Sequence, residues 1–151
     1  AEVIIMSSQR SVKQVPVMEG VFTWPAEEPR LIGTRCKFCG TYYFPRTFRC
    51  HDPACQGEEV EEILFSQRGK LWSYTIEYYP LPPPYKAPRE FKPFGVGEVE
   101  FPEGVRVAGV IIDCDAEKDL KIDMDMELVF EKYFDDEEGN EVIGWKFRPV
   151  K

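Results

Sequence analysis

Cys36-Lys37-Phe38-Cys39 and Cys50-His51-Asp52-Pro53-Ala54-Cys55 stand ten residues apart. Each run presents two thiols from one short turn, and four thiolates so spaced suit a tetrahedral Zn²⁺. The spacing predicts a zinc ribbon with Cys36, Cys39, Cys50 and Cys55 as ligands. Gly40, just behind the first turn, is free to take a left-handed conformation. Four sulfurs fill the coordination shell, which makes the site structural and leaves no open position for chemistry. His51 is an alternative ligand that a complete set of sulfurs does not need. A ribbon of about 25 residues cannot hold a core of its own. Metal closure supplies its folding free energy, on the order of 10 kcal/mol.

On the C-terminal side the sequence turns β-rich. Lys70 to Tyr79 alternates apolar and polar positions, and Phe94 to Phe101, Val105 to Cys114, Met126 to Asp135 and Val142 to Pro149 follow as further strands. Asp136-Glu137-Glu138-Gly139-Asn140 reads as a hairpin turn, and Asp115 to Leu120 as a single helical turn. Five strands so spaced predict a small barrel, with the OB-fold as the candidate. The segment Pro80 to Pro93 holds six prolines in fourteen residues. It cannot be an inner strand and reads as a stiff arm presenting Tyr85, Lys86, Arg89 and Phe91. On the N-terminal side, Val21-Phe22-Thr23-Trp24 ends at Pro25. It either covers the domain's own core or anchors a partner. The expected organisation is an N-terminal arm over 1–30, a zinc ribbon over 31–60 and an OB-fold domain over 61–151. The fold class is mainly β.

Charge narrows the function. The chain of 151 residues carries a net charge of −8 with a pI near 4.8, which weighs against a long nucleic-acid partner on electrostatic grounds. Yet Arg30 to Cys50 contains five basic residues and no acid, whereas Asp113 to Glu141 contains thirteen acids against three lysines. A zinc tetrathiolate adds two negative charges, so the ribbon keeps an excess of about three positive charges, enough for a small polyanion. The apolar run Val3 to Met6 is too short for an export signal or a membrane span. A reducing cytoplasmic setting follows, where clustered cysteines are ligands.

Other residues carry less. Cys114 ends the most apolar strand between Asp113 and Asp115, a setting for a buried thiol and not for a nucleophile. His51 is the single histidine and sits in the ribbon, so no Cys–His pair is expected elsewhere. Asp113, Asp115 and Glu117 start like a calcium loop, but Lys118 stands where its glycine belongs and Met124 where its last glutamate belongs. Gly95-Val96-Gly97 lies in a strand and is no phosphate loop. Tyr42, Tyr43, Phe44 and Phe48 either pack the ribbon and its junction with the barrel or meet a partner together with Arg46 and Arg49.

Arg35-Cys36-Lys37-Phe38-Cys39-Gly40, Phe44-Pro45-Arg46, Cys50 to Cys55 and Gly69-Lys70-Leu71-Trp72-Ser73-Tyr74-Thr75 together resemble the rubredoxin-like zinc-ribbon plus OB-fold proteins associated with acyl-CoA metabolism. Pro93 to Val99 and Glu103 to Gly109 extend the resemblance, which covers about residues 30–150. Many members open with an amphipathic helix, in place of which this chain has Glu19 to Pro25. Its start is similar to the small subunits of aromatic acyl-CoA thiolases, such as those cleaving benzoylsuccinyl-CoA. The resemblance implies a non-catalytic subunit of a thiolase-fold enzyme. The catalytic partner would make or break a carbon–carbon bond next to a CoA thioester. This chain would hold structural Zn²⁺, stabilise the partner and help bind the CoA substrate, with no catalytic residue of its own. Arg35, Lys37, Arg46 and Arg49 are the candidates for the CoA phosphates. A nucleic-acid-binding ribbon and barrel is the alternative, and an iron-bearing electron carrier a third.

Overall fold

The computed structural model describes residues 12–151, and five of its strands close on themselves. The strands are β1 (Gln14–Pro16), β2 (Ile32–Cys36), β3 (Tyr42–Tyr43), β4 (Val60–Leu64), β5 (Arg68–Glu77), β6 (Phe94–Glu100), β7 (Arg106–Ile111), β8 (Asp125–Asp135) and β9 (Glu141–Pro149). Among the described residues there is no helix, so none is long and apolar enough to cross a membrane. Asp115 to Leu120 forms one turn, closed by the Asp119 N–H on the Asp115 carbonyl at 2.8 Å.

The barrel runs β5–β6–β7–β9–β8 and returns to β5. Neighbours are antiparallel except β7 and β9, which meet in parallel at Ile111 and Phe147. This is the five-stranded barrel expected from the strand spacing. In β6, Gly95, Gly97 and Val99 are buried and the residues between them are not, the period-two pattern of a half-buried strand. Leu71, Val99, Val107, Met126 and Phe147 fill the interior. Two bulges bend the wall. One displaces Trp72 in β5, and the other leaves Tyr133 of β8 without a partner on β9. Tyr133 folds over Gly144, where a Cβ atom would come within 2.1 Å of the phenol ring.

The ribbon is a three-stranded sheet in the order β3–β2–β4. Its core is continuous with that of the barrel. Leu31 and Phe65, both 0% exposed, stand at the ribbon's two ends, and the Phe65 N–H donates to the Leu31 carbonyl at 2.9 Å. Phe65 packs on Tyr42 and Phe44 of the ribbon and on Phe101 of the barrel. Gly33 leaves room for that ring, since a Cβ there would lie 2.2 Å from it.

The segment before the ribbon covers the protein's own core. β1 adds to β9 in parallel, with Val15 opposite Val142. Val21 and Phe22 are buried, and Phe22 packs on Phe130 at 4.8 Å between ring centres. Of the two roles open to Val21 to Trp24, the structure has the first. The rest of the arm, residues 1–11, lies outside the described residues.

Candidate metal centre

The turn after β2 places Cys36 and Cys39. The Gly40 N–H donates to the Cys36 carbonyl at 3.0 Å, and Gly40 is left-handed with φ of 76°. A second turn places Cys50 and Cys55. There the Asp52 carboxylate accepts the Ala54 N–H at 2.9 Å, which organises the wider four-residue spacing. The four Sγ atoms all lie within 4.8 Å of one another. Cys36 and Cys55 are 3.7 Å apart, and Cys39 and Cys50 3.6 Å. Zinc–sulfur bonds of about 2.3 Å require a tetrahedral edge of about 3.8 Å, so the donors fit a tetrathiolate zinc ion.

Hydrogen bonds aim the sulfurs. The Phe38 N–H donates to Cys36 Sγ and the Gly57 N–H to Cys55 Sγ, each at 3.4 Å. The Thr41 hydroxyl lies 3.1 Å from Cys39 Sγ. The Tyr43 hydroxyl lies 3.2 Å from Cys50 Sγ and accepts the His51 N–H at 3.0 Å. The Thr41 hydroxyl and N–H draw the Cys39 thiol down to about 6. The Cys39 N–H is the main cause of a lowered Cys36. At Cys55 the Gly57 N–H lowers the pKa, but burial and the three nearby sulfurs outweigh it and push the thiol up to about 12. So close a set cannot hold four negative charges without a cation among them. His51 is not in the set; its ring rests on Tyr43 at 5.4 Å.

The four basic candidates do not converge. Arg35 pairs with Glu61 at 3.2 Å, Lys37 with Glu59 at 3.7 Å and Arg46 with Glu62 at 3.0 Å. Glu61 and Glu62 are successive residues of β4, so Arg35 and Arg46 sit on opposite faces of the ribbon sheet. Arg49 has no carboxylate partner among the described residues. It borders a shallow hollow with His51, Asp52 and Glu58. The aromatics divide as well. Tyr42 and Phe44 pack the junction and Tyr43 serves the metal cluster, whereas Phe48 is 95% exposed. The pairing glutamates and the Tyr43 hydroxyl escape sequence reading, since only the cross-strand register brings them in.

The arm at Pro80 to Pro93 is tied down. Tyr85 packs on Tyr133 and Phe134 and Phe91 on Phe94, while Lys86 and Arg89 face solvent. Cys114 is half-buried; burial first, then Asp119, Asp115 and Asp113, raise its thiol. No imidazole is near it, since His51 belongs to the ribbon.

Residues 23–61 match a family model described as the rubredoxin-like zinc ribbon domain of ChsH2, and residues 62–131 match its C-terminal OB-fold domain. The chain is 38% identical over 126 residues to a DUF35 domain-containing scaffold protein of Methanocaldococcus jannaschii, covering 80% of this chain and 82% of the relative. It is 33% identical over 123 residues to the benzoylsuccinyl-CoA thiolase subunit BbsA of Thauera aromatica, covering 81% and 78%. Among solved structures it resembles a chain of the Ltp2-ChsH2(DUF35) aldolase, with a TM-score of 0.61 and 26% identity over 80% of this chain and 84% of that one.

Proposed function

The chain belongs to the family of ChsH2-type zinc-ribbon and OB-fold proteins, and from that premise we propose that it is an accessory subunit of a thiolase-type enzyme complex acting on CoA thioesters. The observation that carries the reading is the correspondence of ribbon and barrel in series with a thiolase subunit on one side and an aldolase chain on the other. The partner's reaction is carbon–carbon cleavage or formation beside the thioester, with benzoylsuccinyl-CoA thiolysis the specific case that the BbsA relative suggests.

In this reading Cys36, Cys39, Cys50 and Cys55 hold structural Zn²⁺, which cross-links the ribbon turns and does no chemistry of its own. The ribbon and barrel present a fixed surface to the catalytic subunit. Phe48, exposed beside Arg49, is the ribbon's contact with that subunit. Arg35, Lys37, Arg46 and Arg49 remain the residues for the CoA phosphates, and among the described residues Arg49 alone of the four meets a phosphate without giving up an ion pair.

The test is purification of the tagged full chain from its native cell extract, with mass-spectrometric identification of what comes with it and metal analysis of the product. A thiolase-fold chain in fixed stoichiometry with a zinc-loaded subunit is expected. A zinc-loaded monomer with no such partner would overturn the reading.

A further inference from the structure

The proline-rich segment roofs a groove on the outside of the barrel. Its two lobes, of about 340 and 270 Å³, share Leu81, Tyr85, Val110, Tyr133 and Lys146. The inner lobe has an apolar floor that includes Ala108 and Trp145, and the outer lobe reaches Lys86 and Lys92. The groove lies over β6, β7 and the Trp145–Lys146 stretch of β9, beside the loop joining β5 and β6. In OB barrels the face of the second and third strands binds oligonucleotides and oligosaccharides.

Three observations mark it as a built site. First, the β8 bulge gives Tyr133 an unpaired position and turns its ring over Gly144 into the groove wall; bulges re-aim side chains in this way beside binding sites. Second, the walls are fixed before any ligand arrives. Tyr85 packs on Tyr133 and Phe134, the Tyr133 hydroxyl donates to the Trp145 carbonyl, and the Trp145 indole donates to the Ala108 carbonyl at 2.8 Å. A ligand here spends little on ordering the protein. Third, Lys86 and Lys92 are exposed at the rim and have no carboxylate partner among the described residues, in a chain whose net charge is −8. Lys146 is held by Glu131 at 3.5 Å, and Glu90 also lines the rim. Three lysines against two glutamates leave an excess of one positive charge. That balance suits a monoanion and disfavours a polyphosphate.

We infer that the groove binds a small organic monoanion, an aromatic or aliphatic body seated on Tyr133, Val110 and Trp145 with a carboxylate toward Lys86 and Lys92. Its size is that of a small-molecule pocket with an apolar lining and a few polar groups. The inference is separate from the zinc ribbon and from the phosphate contacts proposed above, and it holds with or without a catalytic partner.

The zinc-loaded full chain is titrated with 4-phenylbutyrate, with the neutral 4-phenylbutanamide and with pyrophosphate, followed by tryptophan fluorescence and amide NMR shifts. Saturable binding of the carboxylate is expected, with shifts at Ala108, Val110 and Trp145. The amide should bind about five- to tenfold more weakly, the loss of a charge-assisted contact. Lys86→Gln with Lys92→Gln should reduce carboxylate affinity by a similar factor and leave the amide unchanged. Ala108→Glu, at an exposed strand position, should abolish carboxylate binding while the spectrum of the rest of the barrel stays native. Equal affinity for carboxylate and amide, tighter binding of pyrophosphate, or no saturation by either aromatic probe would each overturn the inference.

Discussion

Changing Tyr43 to Phe removes one oxygen that serves two neighbours. That hydroxyl reaches Cys50 Sγ at 3.2 Å and takes the His51 N–H at 3.0 Å. Groups that orient metal ligands in this way are worth about ten- to a hundredfold in affinity. Tyr43→Phe should therefore weaken zinc binding about tenfold in competition with a chromophoric chelator; an unchanged affinity would reduce Tyr43 to packing. Arg49 invites a different measurement. Among the described residues it has no carboxylate partner, where Arg35, Lys37 and Arg46 are engaged by glutamates. In the proposed complex, Arg49→Glu should raise KM for a CoA thioester substrate about tenfold, and Arg46→Glu should raise it less. Equal effects, or none, would remove the phosphate role from Arg49. The cysteines were legible because metal coordination fixes their type and spacing. The residues around them were not, because Tyr43 reaches Cys50, and the β4 glutamates reach Arg35 and Arg46, through a cross-strand register that the sequence does not spell out.

Strands made of alternating residues were easy to read. β5 was legible in the alternation from Lys70 to Tyr79 and β6 buries every second residue, whereas β9 buries Val142, Ile143 and Gly144 in succession and was legible as a run of β-formers. β1 was not read. Three residues ending in a proline carry no period, and only the exposed edge of β9 makes a strand of them. The segment Pro80 to Pro93 shows the same limit from the other side. Its composition excluded a strand correctly, but not its attachment to the barrel through Tyr85 and Phe91. Each such aromatic pair contributes about 0.5–1.5 kcal/mol beyond burial. Tyr85→Ala should therefore open the arm without unfolding the barrel. Trypsin cleavage after Lys86 or Arg89 should accelerate about tenfold, since roughly 1.4 kcal/mol is tenfold in an opening equilibrium. An unchanged cleavage rate would mean that the prolines alone hold the arm.

At the scale of the molecule the question is whether metal, ribbon and barrel fold as one. Boundaries near 30/31 and 60/61 propose separable parts, and parts that fold independently should melt independently. The packing argues for coupling. Leu31 and Phe65 are 0% exposed, and Phe65 touches Tyr42 and Phe44 on one side and Phe101 on the other. Phe44 also packs on Trp145 of the barrel, at 5.9 Å between ring centres. Loss of the ribbon would expose several of these side chains at about 1.5–3 kcal/mol each. That sum is comparable to the whole stability of a domain, about 5–15 kcal/mol. Stripping zinc with a strong chelator should therefore lower the melting temperature of the barrel as well as unfold the ribbon, with one calorimetric transition before and after. The sign with pH follows from the ligands. Protons compete with the metal for the thiolates, so zinc is lost, and the barrel destabilised, as pH falls. Two transitions, with the barrel's unmoved by chelation or acid, would show that the ribbon is carried by the barrel and does not help to hold it.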